Sequence, residues 1–406
     1  MSWLASIGAW RDRARKNNSM TKSPQISERN EVKSFSSSGL ISLHETQNAS
    51  WSSRNYLSMS REGFMRNPIA HRAIRMIAET AANVPWILID GDRVLTDHPA
   101  LALIKKPNSY SAGADFLETI YGHLLLSGNS FVKCVQTDGD PIELHTLRPD
   151  RIRVISDRNG WPSALEYQVG NSKQQFPIDG ENGHQILHLK LFHPLDDHMG
   201  FAPLEAAMTA LDLHNSASAW NKALLDNSAR PSGALVYQPK DGGNLSQEQF
   251  DRLKMELENG YSGVKRAGRP LLLEGGLDWK AIGLTPKDMD FVDAKNGASR
   301  DIALALGVPP MLLGIPGDNT YANYQEANRA FSRLTVLPLV TRIAASMSSW
   351  LSEYYDKDIR FEPDADKMSG LASERESLWS RMQNATFLSD EEKRKAVGYQ
   401  RFDHDS

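Results

Sequence analysis

The stretch from Asp301 to Leu351 constrains this chain most, because it forces one helix to stop, a loop to form and a longer helix to start. The first helix should end at Leu306. Gly307 suits the left-handed position just past a helix, and Pro309-Pro310 cannot continue one. The loop from Met311 to Thr320 is apolar at first and then turns at Pro316-Gly317-Asp318-Asn319. Helical spacing resumes with Tyr324, Ala327, Phe331 and Leu334. Pro338 falls inside that run, removes a backbone donor and frees the Leu334 carbonyl, which predicts a kink. Two helices bracketing a projecting loop without a catalytic cluster point to a mechanical part rather than an active site.

Charge narrows the classes of partner. Among 406 residues, 50 Asp and Glu outweigh 46 Lys and Arg, for a net charge of −4. A protein that grips nucleic acid by neutralising phosphates carries a basic surplus, so this chain is at most one that lets DNA pass. Cys134 is the only cysteine, which rules out an intrachain disulfide or a cysteine zinc site and fits a reducing cytoplasm. No unbroken apolar run reaches the ~18–20 residues of a membrane helix. Near the start, Trp3, Leu4, Ile7 and Trp10 precede Arg11, Arg13, Arg15 and Lys16, the reverse of a secretory signal.

In chain order, residues 1–66 read as a largely flexible arm, polar and aperiodic from Lys22 to Ser53. Asn67-Pro68 should open a helix as N-cap and first residue, with Ile69, Ala73, Ile77 and Ala81 inward. A strand at Trp86–Ile89 turns at Asp90-Gly91, and His98-Pro99 leads into a short helix. A helix from about Ala112 to Ser127, capped by Ser111, precedes five expected strands: Phe131–Val135, Ile142–Leu147, Ile152–Ile155, Leu165–Val169 and Ile186–Leu191. Helices followed by short strands predict an α+β fold with mostly antiparallel sheet. Further helices are expected at Pro203–Asn227, at Ser246–Asn259 with Gly260 past its end, and from Thr285-Pro286 to Leu306. Two short helices split at Thr386–Ser389 follow a strand near Asp358–Glu362.

The run IALALGVPPMLLG, followed by Asn319, Asn323, Glu326, Arg329, Phe331 and Thr335-Val336-Leu337-Pro338, resembles the portal proteins of tailed bacteriophages, and most closely the HK97 type. HPALALIKKPN, LLLSGNSFV, ILHLK and GFAPLEAA extend the likeness upstream in the same order, over roughly Asn67 to Leu351. The resemblance implies a ring, commonly of twelve copies, that passes double-stranded DNA at one capsid vertex. It implies an α/β wing at 67–245, stem helices at 246–306 around a short clip at 261–284, a tunnel loop and long kinked helix at 307–352, a return to the wing at 353–368, and a small crown at 369–406. Gly314, Pro316, Gly317, Asp318, Asn319 and Thr320 would then face the DNA channel. Lys265, Arg266 and Arg269 would form a docking cluster in the clip, and Phe250, Leu253, Phe291, Ala298 and Ile302 would meet neighbouring subunits along the stem. The implied partners are other copies, DNA in transit, a large terminase ATPase, the major capsid protein and a head–tail adaptor, with no membrane and no cofactor. The implied place is the portal vertex of a virion, prophage particle or gene transfer agent assembled in a bacterial cytoplasm.

Geometry agrees with that picture. Twelve inner helices packed ~8–10 Å apart trace a circle of ~110 Å, hence a diameter of ~35 Å between axes. Subtracting one helix width of ~10 Å leaves a lumen of ~25 Å, slightly wider than duplex DNA. The absence of a G-x-x-x-x-G-K-[ST] phosphate loop assigns the packaging motor to another protein. The rival reading is a metal-dependent hydrolase built on His184, His188, His193, Asp196, Asp197 and His198, although His184–Leu191 reads as a strand entering a loop. Ser262 and Lys265 share the Ser-x-x-Lys spacing of acylating enzymes, but their glycine-broken surroundings are unlike the helix start that chemistry uses.

Overall fold

The computed structural model describes residues 51–91, 93–178, 185–226, 233–237, 246–261, 277–281, 291–317, 320–355 and 358–398. Residues 51–66, expected as part of a flexible arm, are instead packed. Helix α1 (Tyr56–Ser58) runs into a π turn at Met59–Met65, Met59 is buried, and Ser52 donates from both its amide and hydroxyl to the Asp212 carboxylate. The apolar Tyr56, Met59 and Phe64 lie at helical spacing and supply the face that anchors this segment.

Helix α2 (Pro68–Ala82) starts where its cap predicts. The Asn67 side chain accepts from the amides of Ile69 and Ala70 at 3.0 and 3.1 Å, and its amide nitrogen reaches His214 and Asn215. One fully buried side chain thus caps a helix and ties it to a second one. Strands β1 (Trp86–Asp90) and β2 (Arg93–Leu95) precede α3 (Pro99–Lys105) and α4 (Gly113–Ser127). The expected Ser111 cap is not used. Ala112 is the N-cap of α4 and no side chain bonds its first amides, while Asn108 accepts from the amides of Tyr110 and Ser111 just ahead of it.

The strands are β3 (Asn129–Thr137), β4 (Asp140–Leu147), β5 (Ile152–Ser156), β6 (Pro162–Val169), β7 (Ser172–Pro177) and β8 (Ile186–Lys190). They form two antiparallel three-stranded sheets, ordered β4-β3-β8 and β5-β6-β7. Strand β7 escaped the sequence pattern because SKQQFP is an edge strand with only Phe176 buried. Helices α5 (Pro203–Ala206) and α6 (Met208–Asp226) replace the single helix expected from Pro203, with a break at Ala207. Strands β9 (Gly233–Tyr237) and β10 (Leu277–Ala281) pair with each other, and α7 (Gln247–Tyr261) runs through Gly260 rather than ending before it. Its Ser246–Gln249 capping box forms as predicted.

Helix α8 (Phe291–Ala305) ends at Gly307, which takes φ +68°. Helices α9 (Tyr321–Phe331) and α10 (Leu337–Tyr355) are joined by a π turn at Ser332–Val336. This is how the chain accommodates Pro338, whose ring would press on the Leu334 carbonyl in an unbroken α-helix. The turn adds a residue, so the expected stripe loses phase: Phe331 is buried while Leu334 stays 66% exposed. From its last residue onward, Val336, Val340, Ile343, Ala344, Met347 and Leu351 form the buried face. The run from Tyr321 to Tyr355 meets a membrane-span criterion, with mean hydropathy 1.3 in its best window, which corrects the expectation that no segment would. Its sealed face identifies it as a core helix.

Strand β11 (Ile359–Pro363) pairs with β1 in the order β11-β1-β2, which closes the core across almost the whole described chain. Helices α11 (Ala372–Asn384) and α12 (Asp390–Ala396) flank the expected split, and Ser389 and Glu392 form a reciprocal capping box. Met368 and Leu371 are buried in the main core, so the segment expected as a crown from Ser369 is packed on that core at its start.

Candidate functional site

The loop after α8 is tied down more firmly than its turn residues imply. Pro310–Leu313 forms a 3₁₀ turn, Gly314 takes φ +72° to end it, and Ile315 is buried. Leu312 and Leu313 rest on the main core, and the Arg300 guanidinium donates to the Pro316 carbonyl. On the far side the Thr320 hydroxyl caps α9 by accepting from the Asn323 amide at 3.2 Å. The turn residues alone suggest a loop without packing of its own, but the buried Ile315 anchors it. Asp318 and Asn319 lie outside the described residues. Beyond the loop, residues 321–326 all face solvent, with Tyr321 78% and Tyr324 50% exposed. Glu326 and Arg329 pair with each other at 2.6 Å, so this end of α9 presents aromatic and amide groups with little net charge.

The stem residues sort into two groups. Phe250 and Leu253 on α7 are half-buried, and Phe291 stacks on Trp220 of α6 with centroids 4.4 Å apart and planes 3° from parallel. Ala298 and Ile302 are sealed in the chain's own core, at 4% and 0% exposure, and have no surface left to offer a neighbour. Sequence spacing identified one apolar face of α8 but not which partner covers it. The opposite face carries Val292 and Leu304, 73% and 78% exposed, with open space at Gly297. The docking cluster Lys265, Arg266 and Arg269 lies outside the described residues.

Family comparison accounts for this arrangement. The model of the phage portal protein family matches residues 68–398. The chain belongs to the phage portal protein family. A Rickettsia bellii protein of uncharacterised function is 42% identical over 340 residues, covering 83% of this chain and 88% of its own length. The portal protein of Enterobacteria phage HK97 is 24% identical, covering 72% of this portal chain and 69% of the phage protein. Among solved structures, a chain in the neck of an empty gene transfer agent particle, computed with C6 symmetry, is 50% identical with a TM-score of 0.68, covering 87% of this chain and 95% of that one. A chain in the native gene transfer agent neck, computed with C12 symmetry, is 49% identical with a TM-score of 0.66, covering 86% and 94%.

In this portal chain the histidine- and aspartate-rich segment builds structure. His188 stacks on Phe131 at 4.2 Å and its Nε2 meets the Asn129 side-chain oxygen at 2.9 Å. That oxygen also accepts from the Gly200 amide at 2.7 Å, which assigns the proton to His188 Nε2. The Asn129 amide nitrogen donates to the carbonyls of Ser127 and Gly200. Gly128 and Gly200 meet so closely that a Cβ on either would strike the other's backbone. The two motifs LLLSGNSFV and GFAPLEAA thus mark one backbone crossing, pinned by a buried asparagine. Asp196 caps its own turn through the amides of His198 and Met199, and the His193 ring accepts from Leu195. Among the described residues no group of three His, Cys, Asp or Glu could hold a metal, and His184 lies outside them. The hydrolase reading finds no support.

Burial, aided by Lys190, pushes the His188 pKa down to about 4, and burial does the same for His123, where the opposing pull of Asp150 and push of Arg148 are smaller. Both are neutral in the folded chain, whereas an unfolded histidine takes up a proton near pH 6.5. Stability is therefore full above about pH 6.5 and falls as the pH drops towards 4, by roughly 2 kcal/mol per histidine at pH 5. Urea unfolding at fixed subunit concentration should show His188→Gln losing less stability between pH 7 and 5 than the wild type. Equal losses would mean that His188 is not held neutral.

Proposed function

We propose that this chain is the portal-vertex subunit of a phage-type particle, a non-enzymatic ring whose channel carries double-stranded DNA into the head and out again. The observation that carries this reading is the likeness, at 50% identity over 87% of the chain, to a subunit of a gene transfer agent neck. That identity far exceeds the 24% to the HK97 portal and favours a gene transfer agent-like particle as the source. In this reading the α+β part is the wing, α7 and α8 are the stem, and the loop pinned at both ends ahead of α9 is the tunnel loop. Net charge −4 and the nearly neutral start of α9 suit a channel, since each phosphate contact would add friction to a moving duplex. Work comes from a terminase ATPase docked through Lys265, Arg266 and Arg269, while the capsid protein and a head–tail adaptor hold the ring in place. Native mass spectrometry should find rings, of about half a megadalton for twelve 45.3-kDa copies. A stable monomer at micromolar concentration would overturn the reading.

A further inference from the structure

We propose that the base of the C-terminal segment is a clamp that selects the π register of the long helix and so sets the rotational position of α9. In the π turn the Leu337 amide reaches the Ser332 carbonyl, which leaves one residue more than an α-helix would hold. Conversion to α register would rotate α9 against α10 by ~100° and shift it by ~1.5 Å. The turn is therefore a natural two-state element.

Three of its residues are held from outside the helix. Gly370 lies so close to Ser332 that a Cβ there would collide with the serine hydroxyl and stand 3.4 Å from the Asn328 carbonyl. Glu374 bridges Arg333 at 3.5 Å and Arg329 at 3.6 Å, one residue within the turn and one before it. Thr335 donates to the Gly307 carbonyl at 2.5 Å, which joins the turn to the end of α8. Met368 and Leu371, both buried in the main core, hold Gly370 in position. The ion pairs are exposed and contribute little, so the steric fit at Gly370 is the clamp.

Pro338 supplies a second, independent bias, because it cannot donate to Leu334 and would crowd its carbonyl in α register. Either constraint alone holds the π turn. With both removed, the helix regularises and Tyr321 and Tyr324 swing to a new direction.

The test uses full-length chain spin-labelled at Gln325→Cys and Arg342→Cys, two exposed positions on either side of the turn, diluted with unlabelled subunits. Cys134 is 2% exposed and escapes labelling in the folded chain. Pro338→Ala alone and Gly370→Val alone should keep the wild-type distance, while the double variant should shift by several ångströms, as a ~100° rotation demands. Pro338→Ala with the milder Gly370→Ala keeps the test open if the valine variant fails to fold, and should show a second distance peak. A single unshifted peak in the folded double variant overturns the proposal.

Discussion

Ile302→Asp and Leu304→Asp should fail in opposite ways, although the two positions are only two residues apart on α8. Ile302 is fully buried in the chain's own core. A carboxylate there costs several kcal/mol, comparable with the ~5–15 kcal/mol that holds a typical domain together. The expected result is loss of soluble, folded chain. Leu304 is 78% exposed, so its replacement should change the stability of a single subunit by about 0.5 kcal/mol or less. In a ring whose α8 faces pack against neighbours, the same change buries a charge at every interface. Leu304→Asp should therefore give folded monomers or short arcs in native mass spectrometry, with near-wild-type thermal unfolding of the subunit. A normal ring population would exclude this face of α8 from the subunit contact. Phe291→Asp cannot make the distinction, because it also breaks the stack on Trp220 within one chain.

The second large effect should come from placing arginine at both Asp318 and Asn319. The loop is pinned by Ile315 and Arg300 on one side and by the Thr320 cap on the other, and under the proposed channel reading the residues between those anchors are the ones that added charge would bring to the duplex. Two arginines add up to two phosphate contacts per subunit, multiplied around the ring. Each contact steepens the dependence of log K on log salt by about 0.9. Ring assembly should be unchanged, DNA translocation should slow severalfold at low salt, and the defect should ease as salt rises. The measurement is a packaging assay across a salt series, wild type against double variant. Identical low-salt rates would mean that this loop does not line the channel.

Local signals in this sequence were reliable where the backbone itself enforces them. Asn67-Pro68, Ser246–Gln249 and Gly307 each start or stop a helix by satisfying terminal backbone groups, and each does so in the structure. The kink at Pro338 was legible as a steric necessity, but its form was not. An unbroken period-3.6 stripe cannot show that a π turn will absorb the strain, so the spacing of Phe331 and Leu334 suggests a shared face, whereas Phe331 is buried and Leu334 points out. The faces of α8 were misread for a different reason. Spacing shows that Ala298 and Ile302 are apolar together, yet an apolar face looks the same whether its own subunit or a neighbour covers it. The Asn129–Gly200 crossing was missed because its parts lie 71 residues apart and carry no periodic signal. Gly128 and Asn129 within one motif and Gly200 at the start of the other are its only trace.

The pairing of β1 with β11 also sets a timetable for biosynthesis. Trp86 lies opposite Pro363, 277 residues further along the chain. At ~5–20 residues per second a ribosome takes roughly 14–55 s to deliver that partner. Until then β1 has a free edge, and α10, which packs on β11, has no strand to cover. The nascent chain therefore cannot complete the core that supports α8 and its exposed face until almost all of it has been made. A chain that stops before Ile359 would lack the strand that pairs with β1, so it is expected to enter a ring poorly.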